Sequence, residues 1–98
     1  MVRKKIIWSP RAKNELKISL EYFNKRNGSS NYSLKILKEI EDLTKTLSKS
    51  EFIGRLTSNK TTRVIPMTVY LIFYEINNDK IEILSFWDNR QDLKNRIL

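Results

Sequence analysis

The sequence predicts a single α+β domain, in which an N-terminal strand and an antiparallel helical hairpin precede a small, mainly antiparallel sheet. A chain of 98 residues has room for one hydrophobic core, so residues 1–98 should form one domain. Two amphipathic segments follow the first strand, and strand-like segments fill the second half. The expected order is β-α-α-β-β-β, with the helical hairpin packed on one face of the sheet.

The first strand is expected at Lys5–Trp8, with the first helix directly after it. Ser9 is a favourable N-cap, and proline suits the first helical position that follows. Apolar residues then recur every three or four positions, which predicts one buried face. These residues are Ala12, Leu16, Leu20 and Phe23. The helix should end near Asn27 and Gly28, because glycine readily supplies a left-handed C-cap.

A second helix is expected to begin at Ser29-Ser30-Asn31 and to bury one apolar stripe. The predicted stripe is Leu34 or Ile36, Leu37, Ile40, Leu43 or Thr44, and Leu47. Opposite charges spaced four residues apart should lie on the solvated face, where each pair contributes little stability. The pairs are Lys35–Glu39, Lys38–Asp42 and Glu41–Lys45.

The second half of the chain is predicted to form three strands. A loop around Gly54 runs to about residue 60, and a strand at residues 61–65 is expected to be broken by Pro66. Strands at residues 69–76 and 80–87 should form a hairpin around an Asn-Asn-Asp turn. The aromatic residues Tyr70, Phe73 and Tyr74 of the first of these strands should serve sheet packing rather than base stacking.

The sequence contains neither histidine nor cysteine, which limits the possible chemistry. Nucleophile systems that need an imidazole or a thiol are excluded, and so is a zinc site built from those ligands. Catalysis would have to rest on Glu, Asp, Lys, Arg or Tyr. No glycine-rich phosphate loop or calcium-binding loop occurs. We therefore expect no metal, no cofactor and no small-molecule substrate.

The chain is strongly basic, with a formal net charge of +8. A surface of this charge favours acidic partners such as nucleic acid or an acidic protein. No segment approaches the roughly 20 consecutive apolar residues of a membrane span, so no membrane partner is expected. The absence of cysteine gives no hint of export, and we expect a cytoplasmic protein.

Two places in the sequence are candidates for function. Arg63 lies within a strand, where it is either a rim residue or a planar fork for an anion. The segment FWDNRQD at residues 86–92 ends the last strand, and its two aspartates could hold Arg90 in place. The catalytic candidates are Arg63 and Arg90. The candidate target-binding residues are Trp87, Asp88, Arg90, Gln91 and Asp92.

Several segments together resemble the RelE/ParE superfamily of toxins from bacterial type II toxin–antitoxin modules. They are IIWSPRAKNEL at residues 6–16, LTKTLSKSEFIG at 43–54, RVI at 63–65, VYLIFYEI at 69–76 and IEILSFWDNRQD at 81–92. Their order and spacing cover nearly the whole chain. One departure is a missing proline in the loop before Gly54, which concerns loop geometry alone.

The resemblance implies a growth inhibitor that is silenced by an acidic antitoxin, with two branches that differ in target. RelE-like members cut messenger RNA on the ribosome, whereas ParE-like members inhibit DNA gyrase. The ribonuclease arginine of the third strand falls on Leu71, and the tyrosine expected after Arg90 is missing. These losses favour the ParE-like branch. Two alternatives stay open: a ribosome-dependent endoribonuclease using Lys60, Arg63 and Arg90, or a degenerate protein that only binds its antitoxin.

Overall fold

A computed structural model describes residues 4–89 of the chain. Two helices, α1 (Pro10–Asn27) and α2 (Asn31–Lys49), lie on one face of a five-stranded sheet. The strands are β1 (Lys5–Trp8), β2 (Arg55–Leu56), β3 (Thr62–Met67), β4 (Tyr70–Asn77) and β5 (Lys80–Asp88). Their order in the sheet is β1-β5-β4-β3-β2, and only the β1–β5 pair is parallel. The predicted α+β class is confirmed, and β2 adds two residues of strand inside the predicted loop.

Helix α1 begins and ends where the sequence predicts. The Ser9 hydroxyl accepts a hydrogen bond from the Ala12 amide at 3.0 Å and donates one to the Leu84 carbonyl at 3.1 Å. Gly28 adopts the left-handed conformation with φ of 65°. The same serine therefore caps the helix and fixes its first turn to β5.

Helix α2 faces the sheet through a narrower stripe than the sequence predicts. Ile36, Ile40 and Leu47 are buried, whereas Leu34 and Leu37 are exposed. The assignment of Leu37 to the buried stripe was wrong, because Leu37 lies about 100° around the helix from Ile36. On the outer face the Lys38–Asp42 and Glu41–Lys45 pairs form, while Glu39 accepts a hydrogen bond from Thr68 at 2.7 Å.

Strand β3 continues through Pro66, which was predicted to break it. Pro66 pairs with Leu71 of β4. On its other side β3 meets β2 only at Arg63 and Val64. Within the described part of the chain Pro66 therefore lies beside an open edge, where no backbone donor is needed. The predicted hairpin turn between β4 and β5 is confirmed.

The sheet has an apolar cluster on each face. The helix side holds the main core, which includes Tyr70, Ile72, Tyr74 and Phe86 together with the buried residues of both helices. The opposite face carries a smaller cluster of Val64, Phe73 and Trp87, with Leu71 packed against it. Within residues 4–89, no helix is long and apolar enough to cross a membrane.

Candidate functional site

Arg63 is held against the segment of residues 51–56, which we call the edge loop and which includes β2. Its Nη1 donates a hydrogen bond to the Gly54 carbonyl at 2.8 Å. Its guanidinium also lies 5.0 Å from the centroid of the Phe52 ring, within the range of a cation–π contact. The sequence left Arg63 as either a rim residue or an anion fork, and its guanidinium is directed at the protein's own loop.

Tyr74 fixes the same loop from the neighbouring strand, opposite Arg63. Its hydroxyl accepts a hydrogen bond from the Gly54 amide at 2.9 Å and donates one to the Glu51 carbonyl at 2.8 Å. Burial raises the pKa of Tyr74, although the Gly54 hydrogen bond and the Arg63 charge act in the opposite direction. The hydroxyl therefore stays protonated and remains a donor.

Gly54 allows this close approach because it has no side chain. A Cβ atom there would lie 2.6 Å from both Cε1 and Oη of Tyr74. Sequence reasoning treated Gly54 as loop punctuation and Tyr74 as sheet packing, so it missed the clamp they form. The sequence did carry a signal, because the hydroxyl of a buried tyrosine usually needs a hydrogen-bond partner. The signal was weak, since it does not identify that partner.

The clamped loop displays large apolar side chains to solvent. Phe52 is 67% exposed, and Ile53 and Leu56 are 46% and 44% exposed. Beside the loop lies a cavity of about 320 Å³ where β2 ends against β3. Its lining residues are Ile53, Arg55, Val64, Ile65, Pro66 and Leu71. Exposed apolar side chains next to an apolar cavity are typical of a protein-binding surface.

The predicted target-binding stretch lies at the end of β5, and only part of it is described. Trp87 is buried in the cluster on the helix-free face, and its indole N–H has no hydrogen-bond acceptor within the described part of the chain. Asp88 is half-buried. Arg90, Gln91 and Asp92 lie outside the described residues, so the proposed holding of Arg90 by the two aspartates stays a prediction.

Glu15 of α1 secures the strand just before Trp87. Its Oε1 accepts hydrogen bonds from the Ser85 hydroxyl at 2.9 Å and from the Phe86 amide at 3.1 Å. Strand β1 pairs with β5 only as far as Ile83, so among residues 4–89 the Phe86 amide has no strand neighbour on that side. The carboxylate satisfies the amide in place of a strand.

Arg63 and Trp87 do not join into one site. Val64 lies in the helix-free cluster with Trp87. Because adjacent strand residues point to opposite faces, the Arg63 side chain projects from the other face of the sheet. Their partners on β4, Tyr74 and Leu71, are three residues apart, which is about 10 Å along a strand. Lys60, the third basic candidate, is exposed in the turn before β3.

A second apolar cavity of about 410 Å³ runs along α1, and we call it the α1 groove. It is lined by Trp8, Lys13, Leu16, Lys17, Leu20, Glu21 and Asn24. The two lysines are exposed, while the leucines pack against the core. Among residues 4–89, no group of three or more acidic side chains is placed to hold a metal ion.

Comparison with known proteins adds a family and a fold. Residues 6–93 match the family model described as the ParE toxin of the type II toxin–antitoxin system parDE. A chain of the chromosomal ParDE toxin–antitoxin system from Pseudomonas aeruginosa superposes with a TM-score of 0.74 at 17% identity, over 88% of this chain and 96% of that one. A YoeB dimer structure from Staphylococcus aureus gives a TM-score of 0.61 at 23% identity, over 88% and 97%. No curated protein matches the sequence.

Proposed function

This chain belongs to the ParE toxin family of type II toxin–antitoxin systems, and from that premise we propose that it arrests growth by binding DNA gyrase and is neutralised by a cognate acidic antitoxin. The gyrase part extends the family membership to a particular target. It is a proposal of inhibition by contact, without chemistry performed by the toxin.

The observation that carries the proposal is the setting of Leu71, where the resemblance places the ribonuclease arginine. Leu71 packs against Val64, Phe73 and Trp87, so this position offers an apolar surface. Arg63, on the opposite face, is directed at the edge loop. A phosphodiester cleavage needs cations aimed at the developing charge. The described residues supply no such arrangement, which supports binding over cleavage.

The α1 groove supports an acidic antitoxin as the partner. Its apolar floor can accept one face of an amphipathic segment, and Lys13 and Lys17 lie on its rim. The net charge of +8 attracts an acidic chain over the whole surface. We propose that part of the antitoxin lies in this groove.

A gyrase supercoiling assay with the purified toxin tests the proposed target. We expect inhibition or stalled cleavage complexes, relieved by the antitoxin, and no effect on relaxation by a type I topoisomerase as the control. In the same assay Arg90→Ala should weaken inhibition while the fold persists, because Arg90 is proposed as a target contact together with Asp88. Supercoiling that is unaltered at high molar excess of toxin would contradict the proposal.

The ribonuclease alternative has its own readout. Primer extension on translated messages after induction would reveal codon-spaced cuts. Cuts that appear with gyrase unaffected would replace the gyrase proposal by the RelE-like one, and growth that is untouched by the toxin alone would favour the degenerate protein.

A further inference from the structure

We propose that the edge loop and the cavity beside it form a preorganised contact for the toxin's protein target, and that the target segment docking there carries an apolar side chain next to carboxylates. This proposal deepens the proposed function and rests on it. It assigns a role to residues 51–56, none of which was a functional candidate in the sequence analysis.

The first argument is that the loop is fixed at several points while its apolar side chains stay exposed. Three hydrogen bonds join it to Tyr74 and Arg63, and the missing Cβ of Gly54 lets it lie directly against the tyrosine ring. Lys4 Nζ also lies 2.8 Å from Glu51 Oε2. A loop that is already ordered loses little conformational entropy on binding. Phe52 can therefore serve as a rigid anchor for a partner.

The second argument concerns the chemistry of the occupant. The cavity is lined mainly by aliphatic side chains and has a volume of about 320 Å³, enough for one or two apolar side chains. Its one charged lining residue is Arg55. Glu51, the acid of the loop, is already paired with Lys4. The surface is thus apolar and positive, which complements an apolar segment flanked by Asp or Glu.

The third argument is the free edge of β3. β2 covers only Arg63 and Val64, so the stretch Ile65 to Met67 has no strand neighbour on that side within residues 4–89. An extended segment of the target could lie along this edge while its side chain enters the cavity. A nucleic-acid backbone would call for more cations and gain nothing from Phe52 or Ile53 at the rim.

The test compares Phe52→Ser with the control Leu34→Ser, since both residues are more than half exposed but lie on different surfaces. Growth arrest is measured at matched protein levels without antitoxin, and half-maximal gyrase inhibition is measured with purified proteins of matched melting temperature. Because truncating an anchor residue typically costs binding at least tenfold, Phe52→Ser should require about tenfold more protein or abolish arrest. Leu34→Ser should behave like the wild-type toxin.

The charge of the occupant is tested at Arg55. Arg55→Glu should weaken inhibition more than Arg55→Gln, because a new carboxylate would repel the acidic segment. If the Phe52→Ser variant inhibits gyrase as well as the wild-type toxin does, the proposed contact is overturned. This holds even if Arg55→Gln weakens inhibition, since a nucleic-acid partner would give that pair of results. If the wild-type chain itself causes no arrest, the proposed function fails and this contact fails with it, which is a different result from a failure confined to the variants.

Discussion

The edge loop and the end of β5 both lie where a strand extends beyond its neighbouring strand, but the two regions present different side chains to solvent. At the edge loop, Tyr74 and Arg63 turn their polar groups inward onto the backbone, and the apolar side chains face solvent. At the end of β5, Glu15 holds the backbone and Trp87 turns into an apolar cluster. Polar residues fix the chain in both regions. What each region presents to a partner depends on where the remaining side chains point.

The largest effect is expected for Gly54→Ala, which places a Cβ atom 2.6 Å from the Tyr74 ring. Loop or ring must then move and lose hydrogen bonds, so we expect a loss of about 3 kcal/mol in the free energy of unfolding. Urea denaturation monitored by circular dichroism measures it.

Gly28→Ala is the matched control for that variant. Gly28 has φ of 65° with no atom within 4 Å of an added Cβ, so only the backbone conformation is penalised, by about 1 kcal/mol. Equal losses for the two variants would mean that the edge loop is not clamped.

The second prediction removes only the hydroxyl of the clamp. Tyr74→Phe leaves the Gly54 amide and the Glu51 carbonyl without their partner, which should cost about 2 kcal/mol. Tyr22→Phe is the control, because its exposed hydroxyl only accepts a 3.3 Å hydrogen bond from Arg26 and should change stability by less than about 0.5 kcal/mol. The same urea titration compares them, and indistinguishable midpoints would contradict the clamp.

The pH dependence of stability gives a second test of the Tyr74 hydroxyl. Burial raises the pKa of Tyr74 in the folded chain above that of the unfolded chain. Above the unfolded pKa of about 10 the unfolded chain binds fewer protons than the folded one, so stability falls as pH rises. The decline should be steeper for wild type than for Tyr74→Phe above about pH 10. Parallel curves would indicate that the hydroxyl ionises freely in the folded chain.

The smallest expected effect lies at the end of β5. Glu15→Gln keeps an oxygen that can accept from Ser85 and Phe86 but removes the charge, so we expect a loss of about 1 kcal/mol. Glu21→Gln, on an exposed position of the same helix, is the control and should be nearly neutral. Thermal unfolding of the two variants side by side measures the difference. A loss at Glu15 as large as that of Gly54→Ala would remove the contrast between the two regions.

Much of the fold could be predicted because its signals are local. Ser9, Pro10 and Gly28 define both ends of α1 through their own backbone preferences, and the Asn-Asn-Asp turn does the same for the β4–β5 hairpin. The prediction failed where the answer depends on neighbours. Pro66 stays in a strand because β2 stops short of it, and Leu37 is exposed because the sheet meets α2 through a narrower stripe.

The candidate site was predicted less completely than the fold. The sequence identified Arg63 as unusual for a strand but could not say which partner it meets. It weighed Arg63 together with the segment that ends β5, although Trp87 of that segment lies on the helix-free face of the sheet and Arg63 on the other face. It gave no weight to Gly54 and Tyr74, whose roles appear only when residues 20 positions apart come into contact.

By itself the sequence determined the fold class, the family and the basic surface, because each follows from residue type, spacing and order along the chain. Only the tertiary structure decided that Arg63 and Tyr74 clamp the edge loop, that Trp87 is buried and that Phe52 is displayed. Those outcomes depend on strand register and on which face each side chain leaves. Shifting a register by one residue reverses every face, and no local pattern specifies that choice alone.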